Sequence, residues 1–194
     1  MTILPANSDL YIQVKIVSPS DAAGGFPIIA YEHHEIHEGD HYSAHHSKTG
    51  MGDGDKTNIC FRTSDSTKQI HALYNLTGTG AAYFRVKEGG TASDASGTDA
   101  QVIFNNNRLS SNTSSLLDKA AVPAVGKYSV DVTSDLGSTT IHEEYGGAAK
   151  AVGANFRATN ELILKSDCLY IFEGEADAGP IILHIDLSWY EHGA

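Results

Sequence analysis

Residues 181–192 read Ile-Ile-Leu-His-Ile-Asp-Leu-Ser-Trp-Tyr-Glu-His. Ile181, Leu183, Ile185, Leu187 and Trp189 alternate with Ile182, His184, Asp186 and Ser188. Successive side chains on a β-strand face opposite ways, so this pattern makes one apolar face and one polar face. That is what an antiparallel sheet packed on one side requires. Just upstream, residues 161–173 form a second apolar run, Glu-Leu-Ile-Leu-Lys-Ser-Asp-Cys-Leu-Tyr-Ile-Phe-Glu. Its interruption at Lys165-Ser166-Asp167 reads as a bend between two shorter strands. An acidic, glycine-containing loop joins the two runs.

The same reading extends toward the N-terminus. Residues 10–17, 26–31, 57–63, 69–76, 81–87, 127–132 and 138–145 carry β-branched and aromatic side chains between turn signals. Strands at intervals of about a dozen residues are the pattern of a sandwich. Residues 32–38 and 41–46 read as a strand pair around a Gly39-Asp40 turn. Residues 114–121 read as one short helix with Ser114 as its cap. Residues 48–56 read as a loop, 101–115 as an extended segment held by side-chain hydrogen bonds, and 146–154 as a flexible insertion or arm. The expectation is a single all-β domain over residues 1–194. It is an antiparallel β-sandwich, for which a jelly-roll is one arrangement, with extended loops or arms. Residues 1–8, with Pro5, suit an N-terminal arm.

Composition narrows the function. The chain has 194 residues, 41% hydrophobic and only 19% charged, and a formal net charge of −11. Such acidity disfavours nucleic-acid phosphates and anionic lipid as partners, and suits solubility, cation binding or docking on a basic surface. No apolar run approaches the roughly 18 residues that a membrane helix needs. The first residues lack the basic start and apolar stretch of a secretory signal, so synthesis in a cytoplasm is expected. Cys60 and Cys168 both lie in strand patterns and read as small core residues rather than a disulfide.

Few residues suggest chemistry. Six of the ten histidines lie between His33 and His46. On a strand, His33, Glu35 and His37 would share one face and could ligate a divalent cation, with His41 or His45 completing the set. Neutralisation of the imidazoles by Glu32, Glu35 and Glu38 is the simpler reading, so no metal is assigned. A protonation switch near neutral pH is a further use of such a cluster. Gly52-Asp53-Gly54-Asp55 lacks the remaining oxygen ligands of a calcium loop and reads as a turn. No hydrolase or phosphate-loop motif is present. Glu143, Glu144, Glu173 and Glu175 read as solvated strand ends, and a single Trp supplies a sugar-stacking cleft poorly. No catalytic residue and no cofactor are expected. Asn105, Asn106, Asn107 and Arg108 are the candidate interface residues: the amides could bridge two chains or cap their own loop, and Arg108 could fork onto a carboxylate.

Four segments carry a resemblance. Glu32-His33-His34-Glu35-Ile36-His37, Phe104-Asn105-Asn106-Asn107-Arg108, Ile163-Leu164-Lys165 and Trp189-Tyr190-Glu191-His192 resemble, as an ordered set, a family of small tailed-phage proteins associated with capsids. These are regarded as head-decoration or auxiliary capsid proteins. The resemblance implies a virion component on the capsid exterior. It would be a β-sandwich oligomer, expected to be a homotrimer, whose partner is the major capsid protein. The stretches 48–56 and 146–154 match nothing in that family. Two other readings stand beside it. One is a tail or head-fibre component with a receptor- or glycan-binding role. The other is a cupin-like metalloenzyme using the cluster between His33 and His46.

Overall fold

The computed structural model describes residues 31–92, 98–118, 123–132, 135–147, 154–157 and 161–193. The expected strand at 10–17, most of that at 26–31, the arm at 1–8 and most of the stretch 146–154 lie outside the described residues. One helix, α1 (Tyr31–Glu38), precedes β1 (His41–Met51), β2 (Lys56–Arg62), β3 (Lys68–Gly78) and β4 (Ala82–Glu88). Short strands follow: β5 (Thr91–Ala92), β6 (Thr98–Val102), β7 (Phe104–Asn105), β8 (Lys127–Val130) and β9 (Asp135–Leu136). The chain then forms β10 (Thr139–Gly146), β11 (Ala154–Arg157), β12 (Leu162–Leu164), β13 (Leu169–Ala176) and β14 (Ile181–Gly193).

Two six-stranded antiparallel sheets make an all-β sandwich. The first has the order β11-β3-β14-β1-β7, with β12 also on β3. The second has the order β10-β4-β13-β2-β8-β6. The first four strands alternate between the sheets, so β1 and β2, though consecutive, lie in different layers. The tight turn between them is closed by Asp55 N–H to Gly52 O and by Gly52 N–H to the Asp55 carboxylate. The bend at Lys165-Ser166-Asp167 does the same for β12 and β13, with Asp167 in the left-handed region at φ 45°.

The alternation of β14 is realised as read. Leu183, Ile185, Leu187 and Trp189 are buried between the layers, while Asp186 is exposed on the outer face. Aromatic rings bridge the layers: Trp189 lies 6.3 Å from Phe61 and Tyr74 5.6 Å from Phe172, while Phe61 and Phe172, on neighbouring strands of the second sheet, are 5.8 Å apart. Each such ring buries a large apolar area, and the offset contacts add specificity. Cys60 and Cys168 are thiols, the first fully buried.

Three expectations are corrected. The loop read at 48–56 starts only after Met51, because β1 runs on to that residue paired with β14. Residues 31–38 form a helix, not a strand. Its end is a Schellman arrangement: Gly39, at φ 82°, donates to Ile36 O and Asp40 N–H donates to Glu35 O. Glycine carries no side-chain penalty in that conformation, so Gly39 stops a helix rather than turning a hairpin. Residues 114–118 are not helical. Leu116 is buried in the core and Leu117 bridges Arg62, which holds this stretch extended.

Candidate functional site

Three of the four distant motifs meet at one corner of the sandwich. The helix leaves its last carbonyls without intrahelical partners. Beyond the Schellman bonds, Asn107 Nδ2 donates to His37 O at 3.2 Å, and Asn105 Nδ2 donates to the carbonyl of Gly39, just past the helix, at 2.7 Å. Asn106 Nδ2 donates to His41 Nδ1, its Oδ1 accepts from Ser43 Oγ at 2.8 Å, and its backbone N–H donates to His41 O. Asn105 and Asn107 also accept backbone N–H groups two residues on, which fixes the loop's turns. The three asparagines are therefore spent inside the chain. Arg108 lies 5.6 Å over the Phe104 ring, and its neighbour Leu109 is 97% exposed. Val102, Phe104 and Val125 add further exposed apolar surface in the same 102–125 region.

The end of β14 joins this corner. Glu191 N–H donates to Asp40 O. Its carboxylate, 1% exposed, accepts Ser114 Oγ at 2.6 Å, Ser115 N–H at 3.0 Å and the Trp189 indole N–H at 3.1 Å. Lys68 Nζ stands 3.8 Å away. Thus Trp189 and Glu191 point inward, one as core and one as an anchor for the 114–116 segment. Tyr190 and His192 point outward, toward His71 of β3.

The helix redistributes the candidate metal ligands. His33 and His37 sit one turn apart, with Nε2 atoms 3.0 Å from each other. Glu35 turns away from them and is buried, 3.4 Å from His34 Nδ1. His41 is held by Asn106, His45 stacks on Phe104, and His46 faces Asp131. The strand-face trio of His33, Glu35 and His37 is therefore not assembled, because helical spacing pairs positions four apart rather than two.

Three of the carboxylates read as solvated strand ends, Glu143, Glu173 and Glu175, are paired on the outer face of the second sheet, while Glu144 stays exposed. Arg85 donates to Glu143 and Glu175, each at 2.5 Å, and Lys87 donates to buried Glu173 at 3.1 Å. Lys56 stands 3.3 Å from Glu175. Burial works to lower the Arg85 pKa, but its carboxylate partners raise it overall. Burial works to raise that of Glu175, but Arg85 and Lys56 bring it below the usual value. Beside this ladder a cavity of about 330 Å³ is lined by Lys48, Lys56, Asn58, Asp131 and Glu173, among others. Burial would raise the Asp131 carboxyl, yet contacts from His46 and Thr57 and the charge of Lys48 hold it at about 2. Asp131 also takes φ 53°, ending β8.

Sequence reasoning missed the Glu191 anchor, the Arg85 ladder and the helix caps. Parity within β14 marks Glu191 as inward, on the face of Trp189. No spacing rule links it to Ser114, 77 residues away. Comparison with known proteins returns no matching family model, no curated protein and no solved structure.

Proposed function

We propose that this chain is a phage capsid decoration protein that binds the outer surface of the head and ties neighbouring shell subunits together. The observation that carries the reading is the corner itself. Helix α1, the 104–112 loop and the end of β14 are locked by internal hydrogen bonds, and the locked loop presents Phe104, Arg108 and Leu109 outward. That is the construction of a stiff docking surface, where little ordering entropy is lost on binding. Symmetry would multiply a modest contact of this kind into firm attachment, and a homotrimer would engage three shell subunits together. The net charge of −11 suits a basic patch on the major capsid protein.

The strand order supports a jelly-roll. With the segment 89–138 set aside as an insertion between β4 and β10, and β12 as an addition on β3, β1-β14-β3-β11 faces β2-β13-β4-β10. Double-sheet jelly-rolls serve viral shells, lectins and cupins alike, so the fold alone does not choose the function. The interior is filled by Trp189, Phe61, Phe172 and their neighbours, and His33 and His37 are exposed outside it. Nothing in this arrangement favours the cupin-like reading. A glycan-binding fibre component is the second reading. It is favoured by half-exposed Tyr145, tilted against Tyr83 with ring centroids 4.8 Å apart and with its hydroxyl on Asp177.

The test is cosedimentation of the purified chain with phage shells lacking it. The proposal expects saturable binding that Arg108→Ala or Leu109→Ser abolishes while the melting temperature is unchanged. Absence of binding at saturating protein would refute it. Binding to host-surface glycan instead would favour the fibre reading.

A further inference from the structure

The outer face of the second sheet carries two register rows of side chains. Tyr145, Tyr83, Glu175 and Lys56 stand opposite one another across β10, β4, β13 and β2. Glu143, Arg85, Glu173 and Asn58 form the next row. One end of the first row is aromatic. Tyr145 is 50% exposed, and its ring meets that of Tyr83 with centroids 4.8 Å apart. Arg85 covers the Tyr83 ring at 5.0 Å, and the Tyr145 hydroxyl donates to Asp177 at 2.8 Å. The other end of both rows opens into the cavity of about 330 Å³, which Lys56, Asn58 and Glu173 line together with Lys48 and Asp131. Asn58 and Glu173 are buried at its floor.

The charges decide which ligand fits. Arg85 is matched by Glu143 and Glu175, Lys56 by Glu175 and Glu173, and Lys48 by Asp131. A charged ligand would have to displace one of these pairs and leave a partner uncompensated. A neutral hydroxyl would not. Paired carboxylates and ammoniums keep unused acceptor and donor sites, and a hydroxyl both donates and accepts. It can therefore join a pair without parting it. Tyr145 adds a flat apolar platform whose electron-rich face attracts the C–H side of a sugar ring. The one Trp of the chain is in the core, so stacking falls to tyrosine. An aromatic surface beside a few placed polar groups is the usual make-up of a small-molecule site.

We propose that this face binds a neutral oligosaccharide, with one ring on Tyr145, hydroxyls along Arg85 and Glu175, and a further ring in the cavity between Lys48 and Glu173. Neighbouring strands are about 4.8 Å apart, so the three steps from β10 to β2 span about 14 Å. That is the reach of a short oligosaccharide rather than of a single sugar. The site lies on the second sheet, whereas Phe104, Arg108 and Leu109 belong to β7 of the first and the loop after it. It goes beyond the decoration reading and does not rest on it, since it would serve a head protein and a fibre protein alike.

The full chain, fluorescently labelled, is applied to an array of neutral glucose-, galactose-, mannose- and N-acetylglucosamine-based oligosaccharides beside sialylated and sulfated ones. The neutral glycan bound best is then titrated with amide NMR as the readout. We expect saturable binding, with shifts centred on residues 56–58, 83–85, 143–145 and 171–175. Tyr145→Ala should weaken binding about tenfold with the melting temperature little changed, while Tyr145→Phe, which keeps the ring, should stay within about threefold of the parent. Arg108→Ala, in the other corner, should bind the glycan as the parent does. No binding to any neutral glycan on the array, retention of sialylated or sulfated glycans only, shifts centred elsewhere, or equal affinity after Tyr145→Ala would overturn the site. The shift map of the parent decides the matter even where Tyr145→Ala perturbs the fold. A failure here leaves cosedimentation with shells untouched, so it is told apart from a failure of the decoration reading.

Discussion

Replacing Glu191 by alanine should be among the most damaging single changes on the polar side of this fold. The carboxylate is 1% exposed and takes hydrogen bonds from Ser114 Oγ, Ser115 N–H and Trp189 Nε1. Truncation leaves three donors facing a cavity, and Lys68 loses a carboxylate 3.8 Å away. Each buried donor left unsatisfied costs about 1–3 kcal/mol. Breaking a buried charge interaction by removing one partner costs about 3–5 kcal/mol in all. Relaxation and water entry favour the middle of that range, about 4 kcal/mol. Such a loss is a large share of the roughly 5–15 kcal/mol that holds a typical domain together. Glu191→Gln keeps one acceptor but turns an amide toward the donors, so about 2 kcal/mol is expected. Equilibrium urea unfolding is the assay. With a slope of about 2 kcal/mol per molar, the alanine variant should lose about 2 M in midpoint at unchanged slope. The Ser114→Ala and Glu191→Ala pair should show a coupling of about 1–2 kcal/mol in a double-mutant cycle. A loss under about 1 kcal/mol for Glu191→Ala, or additive single effects, would refute the reasoning. Glu143→Gln serves as the contrast. It removes a 52% exposed partner of Arg85 and should cost about 0.5 kcal/mol or less.

Gly39→Ala meets two obstacles at once, a φ of 82° and a new Cβ 2.3 Å from Ser110 Oγ. We expect about 2 kcal/mol of destabilisation, and faster amide exchange across 105–112; protection unchanged from the parent would contradict the packing described. Asn107→Ala uncaps His37 O and should cost about 1 kcal/mol, read as fraying of α1 by hydrogen exchange. Asp131 gives a pH dependence. Its folded pKa of about 2 lies below the ordinary aspartate value of 3.8, so its contribution is present above the unfolded pKa. That contribution should fade as pH falls from about 5 to 2, by about 2 kcal/mol at most. Urea midpoints of the parent and Asp131→Asn should therefore converge at low pH; a gap that stays constant would remove Asp131 as the cause.

Much of the sandwich was legible because a period of two survives in single strands. The alternation of Ile181 to Trp189, and the bend at Lys165-Ser166-Asp167, needed no knowledge of distant residues. Helix α1 was not legible. Tyr31–Glu38 carries few apolar residues to reveal a helical stripe, and histidine and glutamate suit either structure. What fixes it is tertiary: Gly39 packs against Ser110, and Asn105 and Asn107 reach the carbonyls at its end. The asparagines illustrate the same limit. Their ability to bond backbone is visible in the sequence, but which backbone depends on β7 lying beside β1, with Tyr42 opposite Asn105. The Arg85 ladder arises likewise from register, Glu173 opposite Arg85 across β13 and β4. Ser114 read as a helix cap because its preference for backbone N–H groups is local; its Oγ does accept the Leu116 N–H, but in an extended segment and while donating to the distant Glu191.

The most direct test of the proposed decoration role is the copy number of this chain relative to the major capsid protein in purified virions of the phage proposed to carry it. A decoration role predicts a fixed ratio set by shell symmetry, in the hundreds of copies, and loss of the chain in parallel with weaker shells under heat or low salt. Its absence from mature heads, or a handful of copies that purify with tails, would contradict the proposal.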